Sequence, residues 1–213
     1  MVILVLPAVT SWLLAALVLA GDHQAAAADT TYAVDAGKSS VVVHVGKAGL
    51  FSFAGHEHVV TAPRLQGKVL AAADDLSRSL VTLSFETAAL RVEEKGEPAG
   101  DAPKVQEAMV GPKVLDASRF PTVTFESRIV SGKTTAQGAY DLEIIGDLSL
   151  HGVTRSVALP LRVEVSGDTL KASGKLVLRQ TEYGISPVTV AGVVKVKDEL
   201  TIDYAFVATK AIQ

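Results

Sequence analysis

Apolar and polar residues alternate along most of this chain, most regularly between Tyr140 and Gly167. Leu142, Ile144, Leu148 and Leu150 share one parity, and Asp141, Glu143, Asp147 and Ser149 take the other. Beyond Gly152, Val157, Leu159, Leu161, Val163 and Val165 alternate with Ser156, Pro160, Arg162 and Glu164. A period of two over this length predicts two strands, each with one buried and one wet face. His151-Gly152 is the predicted turn, because glycine tolerates the backbone angles of a tight reversal.

The same pattern predicts strands at Tyr32 to Asp35, Ser39 to Gly46, Phe51 to Thr61 and Arg64 to Ala73. Further strands are predicted at Leu80 to Leu90, Thr122 to Val130, Thr169 to Glu182 and Val193 to Ala208. Within Thr122 to Val130, Val123, Phe125, Ser127 and Ile129 are expected to face inward. Asp198-Glu199 reads as a solvated hairpin tip, and Tyr183-Gly184-Ile185 as a strand-ending turn. Only one segment departs from period two. Pro103 to Val110 carries Val105, Ala108 and Met109 on one side, with Asp101 as the expected N-cap and Pro103 in the first turn, so a short helix is predicted. Gly111-Pro112 should end it.

About eight to ten strands with one helical insertion must close into a barrel or pair as a sandwich to hide their edges. The length of the strands favours an extended antiparallel barrel, whose lumen can hold one small ligand. The expected lumen-facing candidates are Val81, Leu83, Phe85, Val123, Phe125 and Leu148, together with Leu150, Leu159, Leu161, Ile202, Tyr204 and Phe206. A solid core would satisfy the same alternation.

Composition sharpens this picture at the N-terminus. Val2 to Ala20 is almost wholly apolar and leads to Ala25-Ala26-Ala27-Ala28, which reads as a signal peptide over residues 1–28 cleaved before Asp29. No lysine or arginine precedes Lys38, and the apolar run is long enough to span a bilayer, so an N-terminal membrane anchor is the alternative. Either way, residues 29–213 form a single domain expected to be periplasmic or secreted. Removing residues 1–28 takes away one acid, Asp22, and no base, leaving 22 acids against 20 bases and no excess of positive charge to suggest nucleic acid. The chain has no cysteine, which excludes thiol chemistry and Cys-type zinc sites.

Four stretches fall together in order: YAVDAGKSSVVVHV at 32–45, VLDASRFPTVTFES at 114–127, GDLSLHGVTRSVALPL at 146–161, and Arg179 to Ile185. In these the chain resembles the YceI-like family of exported, lipocalin-like β-barrels that bind polyisoprenoid lipids, over essentially all of residues 31–208. The resemblance implies an extended antiparallel barrel, a helix near its middle and a long apolar tunnel. It implies a hydrophobic lipid ligand, a polyisoprenoid or quinone-like molecule, with no required cofactor and no established catalytic residue. Transient membrane contact and a homodimer are compatible with it.

The histidines raise a second function. His56 and His58 lie two apart and so share a face, roughly 7 Å apart on a strand. With a third ligand such as His44 or His151, the pair can chelate Zn or Cu, which would make this a metal- or haem-linked exported protein. The alternative is that they are surface or rim residues with ordinary hydrogen-bonded imidazoles. Arg155 and Arg179 are candidates to hold a polar head group, such as a phosphate or a quinone carbonyl, or else pair with acids at the barrel ends. A third reading, an enzyme acting on a lipid in the lumen, has no sequence constellation behind it; no Gly-x-Ser-x-Gly or His-Glu-x-x-His occurs.

Overall fold

A computed structural model describes residues 29–48, 57–190 and 194–212. The expected leader over residues 1–28, the first part of the strand expected at Phe51 to Thr61, and His56 lie outside the described residues. The strands are β1 (Thr30–Val34), β2 (Ser40–Ala48), β3 (His58–Thr61), β4 (Gln66–Ala71), β5 (Leu80–Glu86) and β6 (Arg91–Val92). The helix α1 (Ala102–Val110) follows, and then β7 (Thr122–Ala136), β8 (Ala139–Leu150), β9 (Val153–Ser166), β10 (Thr169–Arg179), β11 (Thr189–Val190) and β12 (Val194–Lys210).

Eight of these close an antiparallel ring in the order β1-β4-β5-β7-β8-β9-β10-β12, with β12 returning to pair with β1. Closure joins the first and last strands of the ring, which is how an all-β domain avoids leaving free edge strands. β12 is long enough to take two partners on one edge. Residues 208–210 pair with β1, and residues 195–205 pair with β2, which carries β3 and then β6 outward from the ring.

The β8–β9 hairpin forms as the alternation dictates. Its register runs from Ala139↔Glu164 to Leu150↔Val153, leaving His151-Gly152 as a two-residue loop. Both loop residues have positive φ, 52° and 73°, the geometry of the hairpin turn whose twist matches that of the strands. A histidine in that conformation is strained. His151 is held there from outside the turn: its Nδ1 donates to the Tyr183 carbonyl at 3.1 Å, and its ring packs against Phe120 at 4.6 Å.

Two expectations are corrected. Ile129 is 52% exposed, while Val130 is buried. The β7–β8 register shifts between Ser127 and Ile129, so Arg128 is an extra residue that reverses the parity of all that follows. Asp198-Glu199 is no hairpin tip, because β12 runs through it with a bulge between Val196 and Leu200. Asp198 instead accepts hydrogen bonds from the Thr181 amide at 2.9 Å and the Thr181 hydroxyl at 2.8 Å, bonds that hold its carboxyl below the usual range. Asp101 does occupy the N-cap position of α1, as expected, but its side chain makes no cap bond and pairs with Lys104 at 3.0 Å. Pro103 does sit in the first turn.

The ends of the barrel differ. One is covered by a 3-10 turn at Leu76–Arg78, where Leu76 packs against a core that includes Tyr32, Leu170 and Ala208. At the other end Gln106 ties α1 to the chain that follows β5. It accepts from the Val92 amide at 2.8 Å and donates to the Leu90 carbonyl at 2.9 Å. There a second core gathers around Val60, Leu90, Leu115, Leu178, Tyr183 and Ile185.

Candidate ligand-binding lumen

The inward faces leave space between them. A cavity of about 310 Å³ lies toward the α1 end, walled by β2, β10 and β12 and covered by Val105, Ala108 and Met109 of α1. A second cavity of about 230 Å³ lies toward the Leu76–Arg78 end. The two share Leu83, Phe125, Leu159 and Phe206, so they are consecutive chambers of one apolar lumen separated by a waist at these four side chains.

The twelve lumen candidates are placed as follows. Phe85, Val123, Leu148, Leu150, Ile202 and Tyr204 line the first chamber, Val81 and Leu161 the second, and Leu83, Phe125, Leu159 and Phe206 both. Residues missing from the expectation include Val41, Val43 and Val45 of β2 and the three side chains of α1. Their signals were visible, since the valines share one parity and Val105, Ala108 and Met109 share one helix face. Neither pattern says which wall meets which.

Tyr204 is the most constrained group in the lumen. Its hydroxyl donates to the Pro160 carbonyl at 2.7 Å, its ring stacks on Phe206 at 5.6 Å, and burial pushes its phenol up to about 12. The bond fills a break in the wall. β9 and β10 are in register only from Ser166↔Thr169 to Arg162↔Ser173, so Pro160 lies just past the end of their ladder. Proline tolerates such an edge because it has no N–H to pair.

The described histidines are not brought together. Among the described residues no group of three His, Cys, Asp or Glu side chains could hold an ion. Register explains it: His58 is opposite Val45 on β2, and His44 is opposite Val59 on β3, so the two imidazoles point to opposite faces of the sheet. His44 faces outward, where its Nε2 donates to Asp203 at 2.9 Å. Asp203 also pairs with Lys175 at 3.1 Å, and the Lys175 contact, with His44 assisting, lowers its carboxyl. His151 sits at the hairpin turn, bonded to Tyr183. Of the expected Zn or Cu set of His44, His56, His58 and His151, the three described members do not form a group that could hold an ion, and His56 lies outside the described residues.

His58 has a different setting. It lines the first chamber, and its Nδ1 is hydrogen-bonded to Glu97 Oε1 at 2.6 Å. Glu97 belongs to the loop between β6 and α1, yet its side chain is only 2% exposed. No sequence signal marked this pair, because a loop residue has no periodicity to read.

The two arginines named as head-group candidates lie outside both chambers. Arg155 is exposed, and its Nε donates to the Glu182 carbonyl at 3.1 Å. Arg179 is exposed beside Glu199, 4.0 Å away. Neither lines a chamber; both serve the barrel exterior.

A closed antiparallel barrel around a single apolar lumen defines a lipocalin-like protein. The chain belongs to the YceI-like domain family, whose model matches residues 32–208. A search of curated proteins returned no match. Among solved structures, BcnA of Burkholderia cenocepacia superposes with a TM-score of 0.64 at 19% identity, covering 83% of this chain and 99% of BcnA. A polyisoprenoid binding domain from Saccharophagus degradans, implicated in plant cell wall breakdown, gives 0.61 at 13% identity over 85% of this chain and 99% of that one. The Campylobacter jejuni YCEI protein gives 0.53 at 10% identity over 72% and 85%. At these identities the likeness carries the fold.

Proposed function

We propose that this protein binds an isoprenoid or similar long-chain lipid in its lumen without chemical change and carries or sequesters it outside the cytoplasm. The observation that carries the reading is the two-chambered lumen itself, with apolar side chains along both chambers and at their waist. A hydrocarbon chain gains about 0.8 kcal/mol for each CH₂ buried, so an isoprene unit contributes on the order of 4 kcal/mol before ordering costs. Successive units threading past Leu83, Phe125, Leu159 and Phe206 would add to affinity until both chambers are filled. The printed description of the Saccharophagus domain as polyisoprenoid-binding supports this ligand class. Export directed by residues 1–28 belongs to the same reading, and loading would require transient contact with a membrane, where such lipids reside.

The test has two parts. Mass spectrometry of an organic extract of the purified protein should detect a prenyl-chain lipid. Titration with geraniol, farnesol and geranylgeraniol should then show affinity rising with chain length. An empty extract combined with no measurable binding of any of the three would overturn the reading.

A further inference from the structure

Resting on the lipid reading, the wall of the barrel also shows where a lipid can pass through it. The β9–β10 ladder ends at Arg162↔Ser173, while β8 pairs with β9 as far as Val153 and β12 pairs with β10 as far as Arg179. Pro160, with no N–H to offer, stands where the ladder stops. Beyond it the two strands are the lips of a seam, fastened at each end by side chains. At one end the Tyr204 hydroxyl reaches across from β12 and donates to the Pro160 carbonyl at 2.7 Å. At the other, Arg155 Nε donates to the Glu182 carbonyl and His151 Nδ1 to the Tyr183 carbonyl, both at 3.1 Å. Between these fastenings Val157 and Leu159 of β9 and Leu176 and Leu178 of β10 line the first chamber.

The seam is apolar on its outer side as well. Continuing the register would set Ala158 opposite Val177, and both are exposed, Val177 at 54%. Ala158 pairs with Ile145 on its other side, and Ile145 with Ile129, which the extra Arg128 turns outward. An apolar row therefore runs from β7 across β8 and β9 to the seam and Val177 beyond it. The cations beside this row are already paired: Arg128 Nε lies 2.7 Å from Asp147, and Lys175 lies 3.1 Å from Asp203. Such a row gains from apolar contact rather than from charge. Its continuity with lips that line the lumen makes the fitting occupant a bilayer, from which a hydrocarbon chain can move inward without being exposed to water.

We propose that the seam between β9 and β10 is the portal through which lipid passes between a bilayer and the first chamber, with Ile129, Ile145, Ala158 and Val177 as the bilayer-facing surface and the Tyr204–Pro160 hydrogen bond as the latch. Opening the seam breaks one hydrogen bond at that end and leaves the eight-stranded ring paired everywhere else along β8, β9, β10 and β12.

The experiment uses the full chain loaded with retinol, a fluorescent isoprenoid alcohol, and follows its transfer to phosphatidylcholine vesicles carrying an energy acceptor. Passage at a docked bilayer should make the rate rise with vesicle concentration, and Ile129→Ser with Val177→Ser should weaken that dependence. A rate independent of vesicle concentration, as for release into water, overturns the bilayer surface. Adding phosphatidylglycerol should leave the rate within about twofold, because the flanking cations are paired, and a larger acceleration overturns the apolar basis of docking. Tyr204→Phe should speed transfer several-fold; an unchanged rate overturns the latch. Since the chain has no cysteine, Ala158→Cys with Val177→Cys supplies a single thiol pair that a short reducible bifunctional reagent can bridge. Bridging should slow transfer at least about tenfold, in the Tyr204→Phe background too, with retinol affinity unchanged and the rate restored on reduction. Transfer as fast bridged as reduced overturns the portal while leaving the lumen a lipid site filled through its end. Failure of every form to bind retinol overturns the lipid reading itself.

Discussion

Gly174 and Tyr204 face each other across β10 and β12, and the missing side chain at Gly174 is what lets the Tyr204 ring cross β10 to reach Pro160. A Cβ at position 174 would stand 2.6 Å from the Tyr204 hydroxyl oxygen and 2.7 Å from Cε2, and would also collide with the Pro160 carbonyl oxygen. In Gly174→Ala the ring must therefore withdraw. The Pro160 carbonyl loses its donor, which costs about 1–3 kcal/mol, and the displaced ring overpacks the lumen at about 1–3 kcal/mol more. Tyr204→Phe keeps the ring and removes only the donor, at about 1–3 kcal/mol. Since alanine already breaks the bond that phenylalanine deletes, the double variant should cost less than the two singles together, by about 1–2 kcal/mol. Urea unfolding midpoints at constant m would measure all four corners of this cycle. A Gly174→Ala protein within about 0.5 kcal/mol of wild type, the range of an ordinary surface change, would refute the reasoning. So would strict additivity.

Two further predictions follow from the other tyrosines. The Tyr183 side chain is almost fully buried, at 1% exposure, and its hydroxyl has no hydrogen-bond partner among the described residues. Tyr183→Phe should therefore stabilise the barrel by about 1 kcal/mol, a rise in Tm of about 2–4 °C, and an unchanged or lowered Tm would disprove the account. Burial also raises the phenols of Tyr32, Tyr183 and Tyr204, the last to about 12. Above about pH 10 the unfolded chain releases protons that the folded barrel retains, so stability is full below about pH 10 and falls as pH rises toward the folded values. Urea midpoints across that range should fall, and Tyr204→Phe should reduce the slope.

The β8–β9 hairpin was legible because one sequence carries all its information: alternation fixes each face, and a two-residue loop fixes register. The inward candidates on β5, β7, β9 and β12 were legible for the same reason. What escaped depends on insertions that leave the alternation almost intact. Arg128 adds one residue to β7, and beyond it Val130 takes the inward place expected of Ile129. The irregular stretch between Val196 and Leu200 looks like a polar hairpin tip but is a bulge within one strand, because β10 pairs with the chain right through to Glu199.

The histidines show the limit most clearly. Spacing along one strand speaks only for that strand, yet a metal site needs ligands from two strands, and the pairing between strands decides whether faces agree. With His58 opposite Val45, the next residue inward on β3 is Val60, and His44 is forced onto the outer face toward Asp203. A shift of one residue in the β2–β3 register would bring His44 and His58 to the same side. That register is held by the valines themselves: Val41, Val43 and Val45 must stay inward to wall the first chamber, and a slip would drive all three into water. The demand for an apolar lumen and the separation of His44 from His58 are thus one physical fact. The same demand leaves His58 inside the chamber, where the partner it finds is a buried carboxylate from a loop.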